Sequence, residues 1–222
     1  MSQEKTFDMI VAVCQGWGIG KHGTLPWRIR KDMQFFQSKT STPPSPMKKN
    51  IVIMGRKTYD SIPPKFRPLP DRTNIILSRN TQLKESLPEG VIVCDSLPSA
   101  LDCAYAIQDR GDVYVAGGGQ VYRDGLTLSG EKRGYHCRNI FVTHIDKQYD
   151  CDAFFPDLSK PPHSSSFRLS NELERLPVEE DNGVQFRFAT YSAETSGVSL
   201  HKKHQHLRES ERQFNRQEES ER

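Results

Sequence analysis

Ile51-Val52-Ile53-Met54-Gly55-Arg56-Lys57-Thr58 decides how the fold of this chain is read. Four apolar residues run unbroken into a glycine, two cations and a hydroxyl. A run of that length suits a strand covered on both faces, and the polar sequel suits a helix opening where the strand ends. Similar runs recur at Met9-Ile10-Val11-Ala12-Val13, Asn74-Ile75-Ile76-Leu77, Val91-Ile92-Val93 and Val113-Tyr114-Val115-Ala116. Helices are expected around Asp32, from Arg56 through Ser61, from Leu97 to Ile107 with Ser96 as N-cap, and from Gly119 to Gly125. Strands alternating with short helices predict an α/β fold with right-handed crossovers and a ligand at the carboxyl ends of the strands. A later segment differs: Val184, Phe186 and Phe188 alternate with Gln185 and Arg187. That period of two predicts an antiparallel strand with one wetter face, paired with Ile140 to Ile145 or its neighbour.

With 222 residues, 35% of them hydrophobic, the chain can bury one good core. Proline- and serine-marked loops at 42–46, 63–64, 68–70 and 161–164 interrupt that domain rather than divide it, because neither side of any of them has a complete set of elements. One domain is therefore expected over 1–192. Residues 193–222 form a tail of Glu, Arg, Gln, Ser and His, a composition that predicts disorder or a helix formed only with a partner. His201, His204 and His206 in that tail read as solvated, and no metal site is expected. A net charge of +3, with acids and bases interleaved, lacks the single-sign field of a dedicated nucleic-acid binder and leaves room for a local anion site. Cys14, Cys94, Cys103, Cys137 and Cys151 show no metal-ligand or disulfide spacing, which fits a reducing compartment. The polar start, without a long apolar run, predicts a cytoplasmic protein with no membrane segment.

Four places carry chemistry. Gly55-Arg56-Lys57-Thr58 sets free backbone N–H groups and two cations at a helix start, an arrangement that attracts phosphate. Leu77-Ser78-Arg79 ends a second strand with a hydroxyl and a guanidinium, so a ligand with separated phosphates such as NADPH suits the pair. Ala116-Gly117-Gly118-Gly119-Gln120-Val121-Tyr122 is another strand-to-helix junction, where glycines permit close approach of a ligand or simply a tight turn. It lacks the Gly-x-Gly-x-x-Gly fingerprint, so a Rossmann reading is not supported. Finally, Asp32 shares a helix face with Phe36, which also meets Met33. A carboxylate on an apolar face costs roughly several kcal/mol unless paired. It is either a ligand anchor or an acid favoured by the helix macrodipole in a first turn.

From about Phe7 to Tyr191 the chain resembles the dihydrofolate reductase family. The resemblance rests on Ile10-Val11-Ala12-Val13, Gly18-Ile19-Gly20, Leu25-Pro26-Trp27, Asp32 with Phe35-Phe36, Val52 through Thr58, Ser61-Ile62-Pro63, Arg67-Pro68-Leu69, Arg72, Leu77-Ser78-Arg79, Gly117-Gly118-Gly119, Val121-Tyr122, Thr143 and Phe154-Phe155-Pro156. It implies one α/β domain whose central, mostly parallel mixed sheet has about eight strands flanked by helices. It also implies reduction of 7,8-dihydrofolate with NADPH, by hydride transfer to pterin C6 and protonation at N5.

Residue by residue, the resemblance implies that Asp32 holds the pterin, steadied by Thr143, with Trp27 ordering water and Leu25 capping the ring from a lid spanning Gly16 to Leu25. Ile10, Val11, Met33, Phe36, Ser61, Ile62, Leu69 and Ala116 would line the substrate path, and Arg72 would grip the glutamate α-carboxylate. Ala12, Ile19, Gly20 and Ala116 would meet the nicotinamide, with Tyr122 closing over that side. Gly55, Arg56, Lys57, Thr58, Gly118, Gly119, Gln120 and Val121 would hold the pyrophosphate; Leu77, Ser78 and Arg79 would read the ribose phosphate. The Gly117-Gly118 peptide would be cis. Three residues depart from the family pattern: Ala116 stands for a bulkier residue, Phe66 for a polar one and Ala153 for Thr. Partners implied are dihydrofolate and antifolate small molecules, with no nucleic acid required, and a monomer unless the chain is joined to a thymidylate synthase. The alternatives are a same-fold reductase of another heterocycle, against which Asp32 and Arg72 weigh, and a non-catalytic folate- or RNA-binding module.

Overall fold

The computed structural model describes residues 5–130, 134–170 and 172–194. In chain order the elements are β1 (Lys5–Val13), β2 (Gly18–Gly20), α1 (Arg30–Ser41), β3 (Lys49–Gly55), α2 (Arg56–Ser61), β4 (Arg72–Leu77), β5 (Ile92–Cys94) and α3 (Leu97–Ala106). They continue with β6 (Arg110–Val115), α4 (Gly119–Gly130), β7 (Tyr135–Ile145), β8 (Ala153–Phe154), β9 (Phe167–Leu169), β10 (Glu179–Asp181) and β11 (Val184–Ala193). The main sheet runs β10-β11-β7-β1-β6-β3-β4-β5, with β9 also on β11, while β2 and β8 pair separately.

Strands β7, β1, β6, β3, β4 and β5 are mutually parallel; β11 lies antiparallel on β7, Phe186 opposite Ile145 and Thr190 opposite Phe141. Both faces of the parallel part are covered, as the unbroken apolar runs require. Ile51 and Ile53 enter a core shared with Leu97, Leu101 and Leu126 of α3 and α4, whereas Val52 and Met54 enter another with Tyr59 of α2 and Phe36 of α1. The chain runs outward through β3, β4 and β5, then returns to place β6 between β1 and β3. That reversal opens a crevice at the strands' carboxyl ends, where ligands of such sheets bind.

Ser96 caps α3, its hydroxyl accepting from the Ser99 N–H at 3.4 Å. Two expectations need correction. Helix α4 continues past Gly125 to Gly130. A Cβ at Gly125 would lie 2.4 Å from Met9 Cε, so this glycine lets the helix approach the sheet instead of ending it. The face of β11 that starts with Gln185 and Arg187 is wet only at that end, because Ala189 and Tyr191 on the same face are buried in the α3–α4 core. Strand β11 reaches Ala193, one residue past the boundary drawn from composition; the rest of the charged tail, from residue 195, lies outside the described residues. No helix among the described residues is long and apolar enough to cross a membrane, and among them no group of three metal-ligating side chains occurs.

Candidate active site

The site is organised around the start of α1, which a hairpin from the far end of the chain holds in place. Asp181 accepts from the N–H groups of both Arg30 and Lys31, Glu179 pairs with the Lys31 ammonium at 2.6 Å, and the Asn182 amide donates to the Arg28 carbonyl at 3.1 Å. The hairpin turns on Asn182 and Gly183, both at positive φ, the geometry for which Asn-Gly is favoured. Asp181 therefore answers the positive end of α1. Asp32, one turn in, is turned inward and is 5% exposed.

Burial pushes the Asp32 carboxyl up to about 6, and a hydrogen bond from the Thr143 hydroxyl opposes that shift. Thr143 lies on β7, opposite Ala12 of β1 and Phe188 of β11, and is itself fully buried. Tyr122, from α4, donates its hydroxyl to the Ile10 carbonyl at 2.6 Å; burial first and the nearby Asp32 second push its phenol far up. Trp27 is buried against Tyr149, and its Nε1–H has no partner. A buried N–H of that kind is a seat for water or ligand.

Outward from Asp32, Phe36, Ile62, Leu69 and Ala116 belong to one apolar cluster, while Leu25 and Met33 stay about half exposed. Arg72 is buried, its Nε on the Pro70 carbonyl at 2.8 Å and its Nη1 on the Thr40 hydroxyl at 2.7 Å. The remaining guanidinium N–H groups are those at the Nη1–Nη2 end. Asn74 shapes the adjoining wall, exchanging hydrogen bonds with the Leu69 N–H and carbonyl at 2.9 Å each.

At the other end, β3 and β6 deliver two glycine junctions to one spot. The Gly55 N–H donates to the Gly117 carbonyl at 2.8 Å, the Gly117–Gly118 peptide is cis, and Gly117 has φ +103°. A Cβ at Gly118 would come within 3.2 Å of Thr58 Oγ1, and one at Gly55 within 3.4 Å of the Val121 side chain. The junctions thus form one glycine-floored cradle beside α2, whose first N–H groups have no side-chain cap. Exposed Arg56 and Lys57 flank it, Arg56 leaning to Asp60 at 3.5 Å. Ile19, in β2, reaches the cradle: its Cδ1 lies 3.7 Å from where a Gly119 Cβ would sit. Gly20 pairs with Ala153, so β2 is held by β8. At the end of β4, Leu77 packs on the α3–α4 core, the Ser78 N–H donates to the Cys94 carbonyl at 2.9 Å, and Arg79 is exposed.

Three predicted side chains are not delivered. Val11 follows Ile10 on a strand, so it points to the opposite face and packs in the α3–α4 core. The Ser61 hydroxyl turns back to the Thr58 carbonyl at 2.6 Å. Gln120 donates to Asp124 at 2.8 Å and accepts from Arg123, leaving only its backbone for the cradle. Conversely, Asp181, Asn182, Thr40 and Asn74 shape the site without having been read from the sequence. Asn182-Gly183, directly before the alternating Val184, Phe186 and Phe188, was a usable hairpin signal, and Asn74 in an apolar run was a usable sign of a satisfied buried amide.

Residues 6–193 match the profile of the family described as Dihydrofolate reductase. The chain is 40% identical over 194 residues to a dihydrofolate reductase of Heliothis virescens, covering 86% of this chain and 98% of that protein. It is 38% identical over 195 residues to the bifunctional dihydrofolate reductase-thymidylate synthase of Daucus carota, covering 85% of this chain and 34% of that one. Among solved structures, Schistosoma mansoni dihydrofolate reductase superposes with a TM-score of 0.69 at 34% identity, covering 87% of this chain and all of that one.

Proposed function

Because the chain belongs to the dihydrofolate reductase family, we propose that it reduces 7,8-dihydrofolate to 5,6,7,8-tetrahydrofolate with NADPH, using Asp32 as the pterin anchor. The observation that carries this reading is a buried, inward-turned carboxyl raised to about 6. Near neutral pH such a group is mostly ionised and lacks a cation, so it is matched to the 2-amino and N3 edge of a pterin.

The Thr143 hydroxyl steadies the carboxylate. Its charge favours a protonated ring and raises the electrophilicity of C6. The unpartnered Trp27 Nε1–H orders water beside the acid. With Asp32 on the 2-amino and N3 edge rather than at N5, the N5 proton would arrive through water under the lid, and Leu25 would close over the ring. Met33, Phe36, Ile62 and Leu69 guide the aminobenzoyl group, and the free end of Arg72 takes the α-carboxylate.

The glycine-floored cradle fits a pyrophosphate, since side chains at Gly118 or Gly55 would fill it. NADPH, when bound, supplies the hydride for C6. Thr58, the uncapped start of α2 and the backbone of Gly118 to Val121 would hold its pyrophosphate; Ser78 and Arg79 would select its extra phosphate. Ala12, Ile19, Gly20 and Tyr122 would enclose the nicotinamide. Dihydrofolate and competing antifolates are the proposed small-molecule partners of a cytoplasmic monomer, or of the reductase part of a chain joined to a thymidylate synthase.

NADPH oxidation with dihydrofolate tests the assignment. Wild type is expected to turn over and Asp32→Asn to lose that turnover at neutral pH. No turnover by wild type, or undiminished turnover by the variant, overturns it.

A further inference from the structure

Cys14 and Cys151, 137 positions apart, bring their sulfurs to 3.7 Å. Cys14 is 3% exposed and Cys151 half-buried, and both pack in the cluster that contains Trp27 and Phe186. Between them lies Gly18: a Cβ there would come within 2.6 Å of the Cys151 sulfur and 2.9 Å of the Cys14 sulfur. Glycine thus leaves the gap between the thiols clear. Each cysteine also sits at an anchor of the lid. The Cys14 N–H donates to the Gly18 carbonyl at 2.9 Å, and next to Cys151 the Asp152 N–H donates to the Gly20 carbonyl at 3.0 Å.

We propose that Cys14 and Cys151 are a covalent modification site, converted by a low-molecular-weight disulfide into an intramolecular disulfide that pins the end of β1 to the segment before β8, across the two anchors of the lid. The half-buried thiolate of Cys151, the more accessible of the two, attacks the reagent disulfide, forming a mixed disulfide and releasing one reagent thiol. The buried Cys14 thiolate then attacks the Cys151 sulfur, the second reagent thiol leaves, and both cysteine protons pass to solvent or to the leaving thiolates. Two protein thiols are oxidised and one reagent disulfide is reduced to two thiols. The closing move is a rotation of the two side chains toward each other, since a disulfide bond is about 2.05 Å long.

Burial and the neighbouring Cys14 push the Cys151 thiol up, so the test uses a mildly alkaline buffer. The full chain is incubated with glutathione disulfide, free thiols are alkylated, and peptides are mapped by mass. The expected product is a cross-linked Cys14–Cys151 peptide that dithiothreitol reverses. Cys14→Ser is expected to stall as a stable glutathione adduct on Cys151, and Cys151→Ser to leave Cys14 unmodified. No bridge, a persisting wild-type adduct, or a bridge only between the neighbouring Cys94 and Cys103 overturns the site.

In the bridged protein, hydrogen exchange at the Cys14 and Asp152 amides is expected to slow at least several-fold. Unchanged exchange overturns the pinning. That a bridge lowers turnover rests on the proposed reductase reading, but the peptide map and the exchange rates do not.

Discussion

The two ends of the crevice are built on opposite electrostatic plans. At the Asp32 end one charge is buried beside Thr143 and Tyr122, both buried themselves. At the cradle end the cations Arg56, Lys57 and Arg79 stand in solvent around a backbone floor. Coulomb interactions in the first region are weakly screened, so a single group sets the protonation chemistry. In the second they are screened by salt and shared over several groups. A change at the buried end should alter kind, and a change at the exposed end only degree.

The largest effect expected from that contrast is that of Asp32→Asn, a loss of turnover of about 10²–10⁴-fold, read by NADPH oxidation. The same substitution is expected to stabilise the ligand-free protein at neutral pH. The Asp32 carboxyl lies at about 6 in the fold against 3.8 unfolded, so the folded state binds the proton more tightly. Its favourable contribution is complete below the unfolded value and is lost as pH rises through the folded one, about 3 kcal/mol in all. His144, held down to about 4 by burial and bonded to the Tyr191 hydroxyl, has the opposite slope: its contribution is present above 6.5 and is lost as pH falls through the folded value. The two slopes oppose each other over nearly one window. Asp32→Asn should unmask the His144 slope, so that denaturant midpoints fall between pH 6.5 and 4 more steeply than in wild type; parallel curves would break the contrast at its strongest point.

Next in size is Thr143→Val, which removes the one group opposing the rise at Asp32. The acidic limb of the pH–rate profile is expected to move upward, and turnover at neutral pH to fall by roughly tenfold for the loss of a hydrogen bond to a charged group. An unmoved limb would show that Thr143 only packs. Arg79→Gln tests the exposed end: NADPH affinity is expected to drop by up to about tenfold at low salt, less at high salt, with NADH affinity unchanged. A loss independent of salt would erase the distinction between the two ends.

The smallest expected effect lies in the support of the buried end. Asp181→Ala removes the cap of α1 and is expected to cost about 1 kcal/mol. KM for dihydrofolate should rise a few-fold with that for NADPH unchanged. Asp181→Asn keeps an acceptor and should restore most of both; equal KM changes for the two ligands would show that Asp181 serves stability alone.

What could be read from the sequence divides along the range of the interactions. The strands around Ile51–Met54 were legible because an apolar run covered on both faces needs no knowledge of its neighbours. The Gly55–Thr58 and Ala116–Tyr122 junctions were legible as strand-to-helix turns because an apolar run that breaks into glycine needs only local backbone geometry. Asp32 was only half legible: its helix face showed, but its choice between dipole and interior depended on Asp181, 151 positions from Arg30. The Thr40 hydroxyl on Arg72 and the sulfurs of Cys14 and Cys151 likewise meet only through the fold. Gly125 misled because a glycine that ends a helix and one that admits a close sheet look alike in sequence.

The hairpin that seats α1 also has a consequence in time. On a translating ribosome α1 emerges early, but its cap, Asp181, follows 151 residues behind Arg30. At about 5–20 residues per second that is a wait of roughly 8–30 s. Through that interval the glycine junctions after β3 and β6 are already synthesised while the helix bearing the acid still lacks its clasp. Competence for chemistry is therefore gained last, when the carboxyl-terminal strands leave the exit tunnel.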